Sequence, residues 1–253
     1  MTQSENQYFA TRASIRRYDP SREVDKELLT RLIDLARMAP NTGNMQLYSV
    51  VVTTAPERLK ALAADGHFNQ PAAAGAKAIL TFCIDARRFG RWCELNGTAS
   101  SLGNLQGFTW AAIDTSIFAQ QFVTLAEMEG LGTCYLGTTT YNPEPIARLL
   151  NLPSGVLPLI SVSVGWPAES GDEKQRLPLE SVVHFEEYSD PDDTGIKELY
   201  RATEEHPASQ RFVEENDMPS LAHVFTEVRY RRKDAEAFSK VYLDAISNAG
   251  FNI

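Results

Sequence analysis

The segment from Thr109 to Glu129 constrains this chain more than any other. Trp110, Ala111, Ile113, Ile117, Phe118, Phe122, Leu125, Ala126 and Met128 recur at helical spacing, yet they cover most of the circumference. A surface helix of a soluble protein needs only one apolar stripe, so a helix apolar nearly all round must be buried on several sides. In a chain of 253 residues, long enough for one large domain or two small ones, that predicts a central helix shared with a second copy of the chain. Gly130 is placed to end it, as the residue beyond the C-cap.

Other apolar runs supply the remaining elements. Leu28, Leu32, Leu35 and Ala36 predict a helix from about Asp25, a natural N-cap, to Met38, stopped at Ala39-Pro40. Leu47 to Thr53, Ala78 to Asp85, Thr133 to Gly137 and Leu157 to Pro167 read as strands, and Glu57 to Ala64 and Pro143 to Leu150 as short helices. Between Arg87 and Gly107, Trp92, Leu95, Leu102 and Leu105 are separated by Gly, Ser and Asn, which predicts a partly helical, mobile excursion such as a lid. In the charged last quarter, Asp190-Pro191-Asp192-Asp193 reads as a linker and Glu204 to Asp217 as a polar, mobile stretch. Phe225 to Lys233 is a basic-aromatic patch, read as a solvated surface or as a site for dinucleotide phosphates, and Ala235 to Ala249 reads as an amphipathic helix.

Charge narrows the partners. A formal net charge of -9 argues against nucleic acid, so basic clusters are local features. No apolar run is long enough to span a membrane. The polar N-terminus lacks the apolar region of a signal peptide, and the expected location is cytoplasmic. Cys83, Cys93 and Cys134 form no CxxC pair, and Cys83 and Cys134 read as buried thiols of a reducing compartment.

Four stretches carry chemistry. Arg12, Ser14 and Arg16 stand at i, i+2 and i+4, so in an extended segment their side chains leave on one side. They read as a solvated basic patch or as a phosphate site, because guanidinium forks match phosphate oxygens. Lys174 and Arg176 form a second pair of cations at i and i+2. Pro40, Asn41, Thr42, Gly43, Asn44, Met45 and Gln46 form either a turn between helix and strand or a loop that hydrogen-bonds a planar polar ring. Gln70, which can donate and accept, suits the edge of such a ring. Gly137, at a strand end beside Leu136, is either a turn residue or a point of close backbone approach to a ligand. No GxGxxG follows a strand, and there is no Walker A, GxSxG or HExxH sequence. His67, His184, His206 and His223 lack metal-ligand spacing, and His184 reads as structural. An enzyme with phosphate clamps and no nucleophile with its base delegates its chemistry to a cofactor.

In this order, Arg12-Ala13-Ser14-Ile15-Arg16, Ala39 to Gln46, Gly130 to Gly137, and Gly165-Trp166-Pro167 with Lys174 to Pro178 resemble the nitroreductase superfamily, closest to its NADPH-dependent nitroreductase and flavin reductase branch with a C-terminal extension. The resemblance covers roughly residues 8–188. It implies an α+β, three-layer α-β-α fold with a mixed central sheet, an intertwined homodimer, an FMN-binding core over 1–188, and a helical extension over 189–253 packed on the core or on the partner subunit. It implies that Arg12, Ser14 and Arg16 hold the FMN phosphate and ribityl chain, and that Lys174 and Arg176 close on the phosphate. Ala13 also lies in this motif, where close relatives often carry a second basic residue, which shifts the grip toward Arg176. Gln70 would face the polar edge of the ring, Leu136 and Gly137 would lie near flavin N5, and Pro40, Asn41, Thr42, Met45 and Gln46 would reach in from the partner. The implied reaction is ping-pong hydride transfer from NAD(P)H, with NADPH favoured, through flavin N5 to a nitroaromatic, quinone or flavin acceptor. It uses no catalytic side chain and no metal. A flavin-binding carrier or redox sensor on the same fold is the alternative.

Overall fold

The computed structural model describes residues 3–172 and 175–253. Contacts divide the chain into two units, residues 3–172 with 238–253 and residues 175–237. The last sixteen residues return to the first unit.

The first unit opens with α1 (Gln3–Thr11). Asp25 caps α2 (Lys26–Ala36), accepting from the Glu27 N–H at 3.1 Å. Next come β1 (Tyr48–Thr53), α3 (Pro56–Ala61), a π-helical turn over Leu62–Gly66, α4 (Pro71–Ala74) and β2 (Ala78–Asp85). They are followed by α5 (Arg87–Leu95), α6 (Leu105–Met128), β3 (Gly132–Leu136), α7 (Pro143–Leu149) and β4 (Val156–Gly165).

The sheet order is β1-β2-β4-β3, and every pairing is antiparallel. The α+β class holds, and the expected mixed sheet is corrected to an antiparallel one within the described chain. β2 is buried along its whole length. Its even positions, Ala78, Leu80 and Phe82, face α2 and α6, where Leu29 and Leu32 meet Phe118, Phe122 and Val123. Phe82 and Phe118 meet edge-on with centroids 5.1 Å apart, and each buried phenylalanine contributes about 2–3 kcal/mol. On the opposite face, Ile79 packs with Leu62, Ala72, Ala73 and Ile146. Helices on both faces of the sheet make the three layers.

α6 begins at Leu105, four residues earlier than expected, because the Asn104 side chain accepts from the Gly107 N–H and caps it there. Gly130, at φ +87°, follows its end. The stretch expected to be partly helical is so. Residues 87–95 form a regular helix that buries Cys93, and Leu102 is buried in a third cluster with Leu47, Ile84, Ala245 and Phe251. The chain end covers this stretch, with the Asn252 N–H donating to the Gly103 carbonyl.

In the second unit, Asp192 is not part of a linker but the N-cap of α8 (Asp193–Glu205). Residues expected to be mobile form α9 (Pro207–Glu215), capped by His206. α10 (Leu221–His223) runs into a π-helical turn over Val224–Arg229, where Arg229 lies 4.1 Å over the Phe212 ring. Then α11 (Arg232–Asn248) carries the chain into the first unit from residue 238. Among the described residues no helix is long and apolar enough to cross a membrane.

Candidate functional site

The Arg12–Arg16 segment is seated on two glycines. Gly132 and Gly165 are cross-strand partners at the ends of β3 and β4. A Cβ on Gly132 would lie 2.8 Å from Ile15 Cβ, and one on Gly165 2.7 Å from the Tyr18 ring, so only glycine admits this contact. The Ile15 N–H donates to the Thr133 carbonyl at 2.9 Å, and the Asp19 N–H to the Trp166 carbonyl at 2.8 Å. Tyr18 is buried and its hydroxyl lies 2.8 Å from the Ser163 hydroxyl. Burial drives its pKa upward.

With Ile15 anchored inward, its neighbours Ser14 and Arg16 are half-buried and exposed, as alternation along an extended segment requires. Neither side chain has a hydrogen bond or ion pair among the described residues. Glu169 fixes the backbone beneath them. Its Oε1 accepts from the Arg16 and Arg17 N–H groups at 2.8 and 3.0 Å, and its Oε2 from Arg17 Nε at 2.6 Å. Those bonds, with the Arg16 N–H foremost, hold the Glu169 carboxyl below its usual pKa.

Arg12 behaves differently. Its guanidinium grips Glu127 of α6 through two bonds of 3.0 and 3.1 Å. The same carboxylate accepts from the Tyr8 hydroxyl at 2.9 Å and the Thr133 hydroxyl at 2.6 Å. Hydrogen bonding to Glu127 raises the Arg12 pKa, and burial, aided by Glu127, pushes Tyr8 up to about 12. Arg12 therefore ties α1 and the motif to the central helix. Ala13 lies against Gly171.

β3 leads from this seat to a second group. It ends in Leu136, whose side chain is buried, and then exposed Gly137. A Cβ on Gly137 would meet nothing within 4 Å. The next residue, Thr138, joins two parts of the chain. Its hydroxyl oxygen accepts from Gln70 Nε2 at 2.7 Å and lies 2.9 Å from His67 Nδ1. His67 is fully buried, and burial alone lowers its pKa to about 4, so its ring is neutral near pH 7. The π-helical turn, followed by Phe68 and Asn69, both at φ +52°, delivers Gln70 to this position. Left-handed backbone at two consecutive non-glycine residues stores strain of a kind that clusters at functional sites.

The Pro40–Gln46 loop is a separate assembly. The Thr42 N–H and hydroxyl both donate to Asp114 Oδ1 at 2.9 Å, and the buried Asp114 Oδ2 has no partner among the described residues. Asn41 Oδ1 accepts from the Gln46 N–H at 3.2 Å. Arg88 donates to the Gln46 and Tyr48 carbonyls at 2.7 and 2.8 Å. Met45 packs against the third cluster, while Pro40 and Gln46 are exposed. Among the described residues no hydrogen bond links this loop to Gln70, Gly137, Ser14 or Arg16.

Arg176 belongs to the second unit, where it donates to the Gln175 carbonyl at 2.9 Å. Lys174 lies outside the described residues.

The structure thus brings Ser14 and Arg16 to one end of β3, and Gln70, Leu136 and Gly137 to the other. Thr133 to Gly137 spans four residue steps, roughly 13 Å. A hydroxyl and a guanidinium suit an anionic tail, while an uncovered backbone step with an amide beside it suits a flat polar ring. Those are the two ends of FMN, so the residues present fit it. Sequence reasoning missed His67, Thr138, Glu127 and Asp114. Only Asp114 and Glu127 left a signal, as the two charged residues of α6.

The Nitroreductase family model matches residues 9–166. A Cr(VI) reductase from Pseudomonas sp. (strain G-1) is 35% identical over 178 residues, 70% of this chain and 72% of that protein. An FMN reductase [NAD(P)H] from Bacillus subtilis (strain 168) is 34% identical over 184 residues, 71% and 72% of the two chains. A crystal structure from Bacteroides fragilis NCTC 9343, of a protein provisionally assigned as an oxidoreductase, superposes with a TM-score of 0.93 at 42% identity, covering 97% of this chain and 100% of that one.

Proposed function

The chain belongs to the Nitroreductase family, and from that premise we propose that it is an FMN-dependent oxidoreductase that takes electrons from NAD(P)H and passes them to a small electrophilic acceptor. The observation that carries this reading is the pairing of an uncovered Gly137, flanked by Gln70, with Ser14 and Arg16, whose side chains have no partner among the described residues, at the other end of one strand. When bound, FMN supplies the two-electron redox chemistry. The chain supplies binding, orientation and electrostatics.

Arg16 and Ser14 bind the phosphate, the guanidinium neutralising its charge and the hydroxyl donating one hydrogen bond. Glu169 presets their backbone, so little ordering entropy is lost on binding. Arg12 holds the segment in register through Glu127. Leu136 and Gly137 let the ring approach the backbone, and Gln70 orients its polar edge. NADPH is the proposed donor. Nitro compounds, quinones and free flavins are the proposed acceptors, using the same open face as the donor in alternation, which gives ping-pong kinetics.

The working unit is a homodimer, cytoplasmic like its nicotinamide donor. Trp110, Ile113, Ile117 and Met128 on α6, with Leu35 and Met38 at the end of α2, remain exposed in the single chain. An apolar row of this extent on the most buried helix calls for a second copy. In that dimer Pro40, Asn41, Thr42, Met45 and Gln46 serve the partner's site, which accounts for their separation from Gln70 and Gly137 within one chain.

The test is an absorbance spectrum of purified protein supplied with FMN, before and after anaerobic NADPH or NADH. Protein-bound flavin bands that bleach support the proposal. Bands that persist with both nucleotides favour a carrier. Protein that retains no flavin refutes the proposal.

A further inference from the structure

Thr138 was not among the residues that sequence reasoning selected, yet it is the junction of the ring end. The proton inventory of its network decides what it can do. Thr138 Oγ1 offers two lone pairs and one O–H. Gln70 Nε2 donates into one lone pair at 2.7 Å. His67 Nδ1 stands 2.9 Å away, and its other ring nitrogen is buried with no partner among the described residues. A neutral imidazole carries one proton. If it sat on Nε2, a buried N–H would be orphaned, and buried N–H groups are left unpaired more rarely than acceptors. The proton therefore belongs on Nδ1, donated to Thr138.

Both lone pairs of the Thr138 hydroxyl are then occupied, and its own hydrogen must find an acceptor outside this network. Thr138 is half-buried and directly follows the uncovered Gly137, and no described residue accepts from it. Gln70 is constrained in turn. With Nε2 committed to Thr138, its Oε1, which has no partner among the described residues, is what it presents. The ring end thus offers an adjacent acceptor and donor. That pair complements an imide, in which an N–H lies beside a carbonyl.

We propose that Gln70 Oε1 and the Thr138 hydroxyl together read the imide edge of the flavin pyrimidine ring. Gln70 accepts from the ring N3–H, Thr138 donates to the neighbouring carbonyl oxygen, and His67 is the positioning residue that fixes the polarity of both. This inference rests on the flavin reading above.

The first test needs no flavin. Long-range 15N–1H spectra of protein labelled in histidine should show His67 protonated on Nδ1 at neutral pH, and protonation on Nε2 overturns the inference. The second test measures FMN affinity by fluorescence quenching. Thr138→Val should weaken binding roughly three- to ten-fold, the worth of one hydrogen bond, and Thr138→Ser should restore it to within about two-fold. Thr138→Ala should match Thr138→Val, which covers poor folding of the valine variant. Riboflavin, which lacks the phosphate, should suffer the same proportional loss, placing the defect at the ring. Wild type that binds FMN while both hydroxyl-free variants bind it equally well overturns this inference alone. Wild type that binds no FMN overturns the flavin reading, and this inference with it.

Discussion

His67 makes a quantitative demand on the acid stability of the protein. Its ring is fully buried, and burial lowers its pKa to about 4, whereas in the unfolded chain it titrates near 6.5. Between those values the unfolded chain binds a proton that the folded protein excludes. Stability therefore falls as pH drops through 6.5, and the fall levels off below about 4. Above 6.5 both states are neutral and the histidine contributes no pH dependence. Linkage puts the loss at roughly 2 kcal/mol by pH 5 and about 3 kcal/mol by pH 4. For a protein of this length, roughly 2 kcal/mol lowers Tm by about 4–8 °C. The assay is thermal unfolding by circular dichroism from pH 7.5 to 4.5, without added flavin and at one protein concentration. Wild type is compared with His67→Gln, whose amide still reaches Thr138 but does not titrate. Carboxylates titrate in both proteins, so the difference isolates the imidazole. Wild type should lose about 2 kcal/mol more than the variant between pH 7.5 and 5. Identical pH profiles would refute the reasoning, because a ring that titrates normally is open to water and need not be neutral beside Thr138.

Arg16→Ala should weaken FMN binding about ten- to a hundred-fold, the worth of a hydrogen bond to a charged group. Unchanged affinity in a flavin titration would remove Arg16 from the site. Gly137→Leu should abolish flavin uptake while leaving Tm within a degree or two of wild type, since a Cβ there meets nothing within 4 Å and the backbone is not left-handed. A leucine variant with normal flavin bands would place the ring elsewhere. Ile113→Glu combined with Ile117→Glu should convert a dimer to monomers in light scattering, by setting charges within an apolar interface. A persistent dimer would move the interface off this face of α6.

Local signals were the legible ones. Asp25 and Gly130 punctuate their helices from the positions that capping chemistry assigns, and the apolar runs of β2 and α6 lie where their periods place them. What escaped the sequence was long-range. α1 has no apolar stripe, and its tertiary anchor is a tyrosine reaching Glu127, 119 residues away. The commitment of Arg12 to the same carboxylate spans 115 residues, and no local spacing announces it. His67 and Thr138 are separated by 71 residues, and neither carries a local motif. Between Arg87 and Gly107 the apolar residues are separated by Gly, Ser and Asn, so the sequence did not show that Cys93 and Leu102 are the buried ones. The antiparallel pairing of β2 with β4 joins residues some eighty positions apart, which no local period encodes.

β3 joins the two ends of the site, and its length works as a gauge. Ile15 is bonded at Thr133 and the ring end begins at Gly137, so the distance between tail and ring is written in a count of residues. Deleting one residue would shorten that distance by about 3.3 Å and turn the following side chains to the opposite face of the sheet. Both ends would fail together, whereas a substitution at Ser14 or Thr138 disturbs only one. Divergence at this site is therefore free to alter which ring or which anion is recognised, one residue at a time, but not how far apart the two must lie. A descendant of this chain that adopts a longer or shorter ligand has to rebuild the strand rather than edit it.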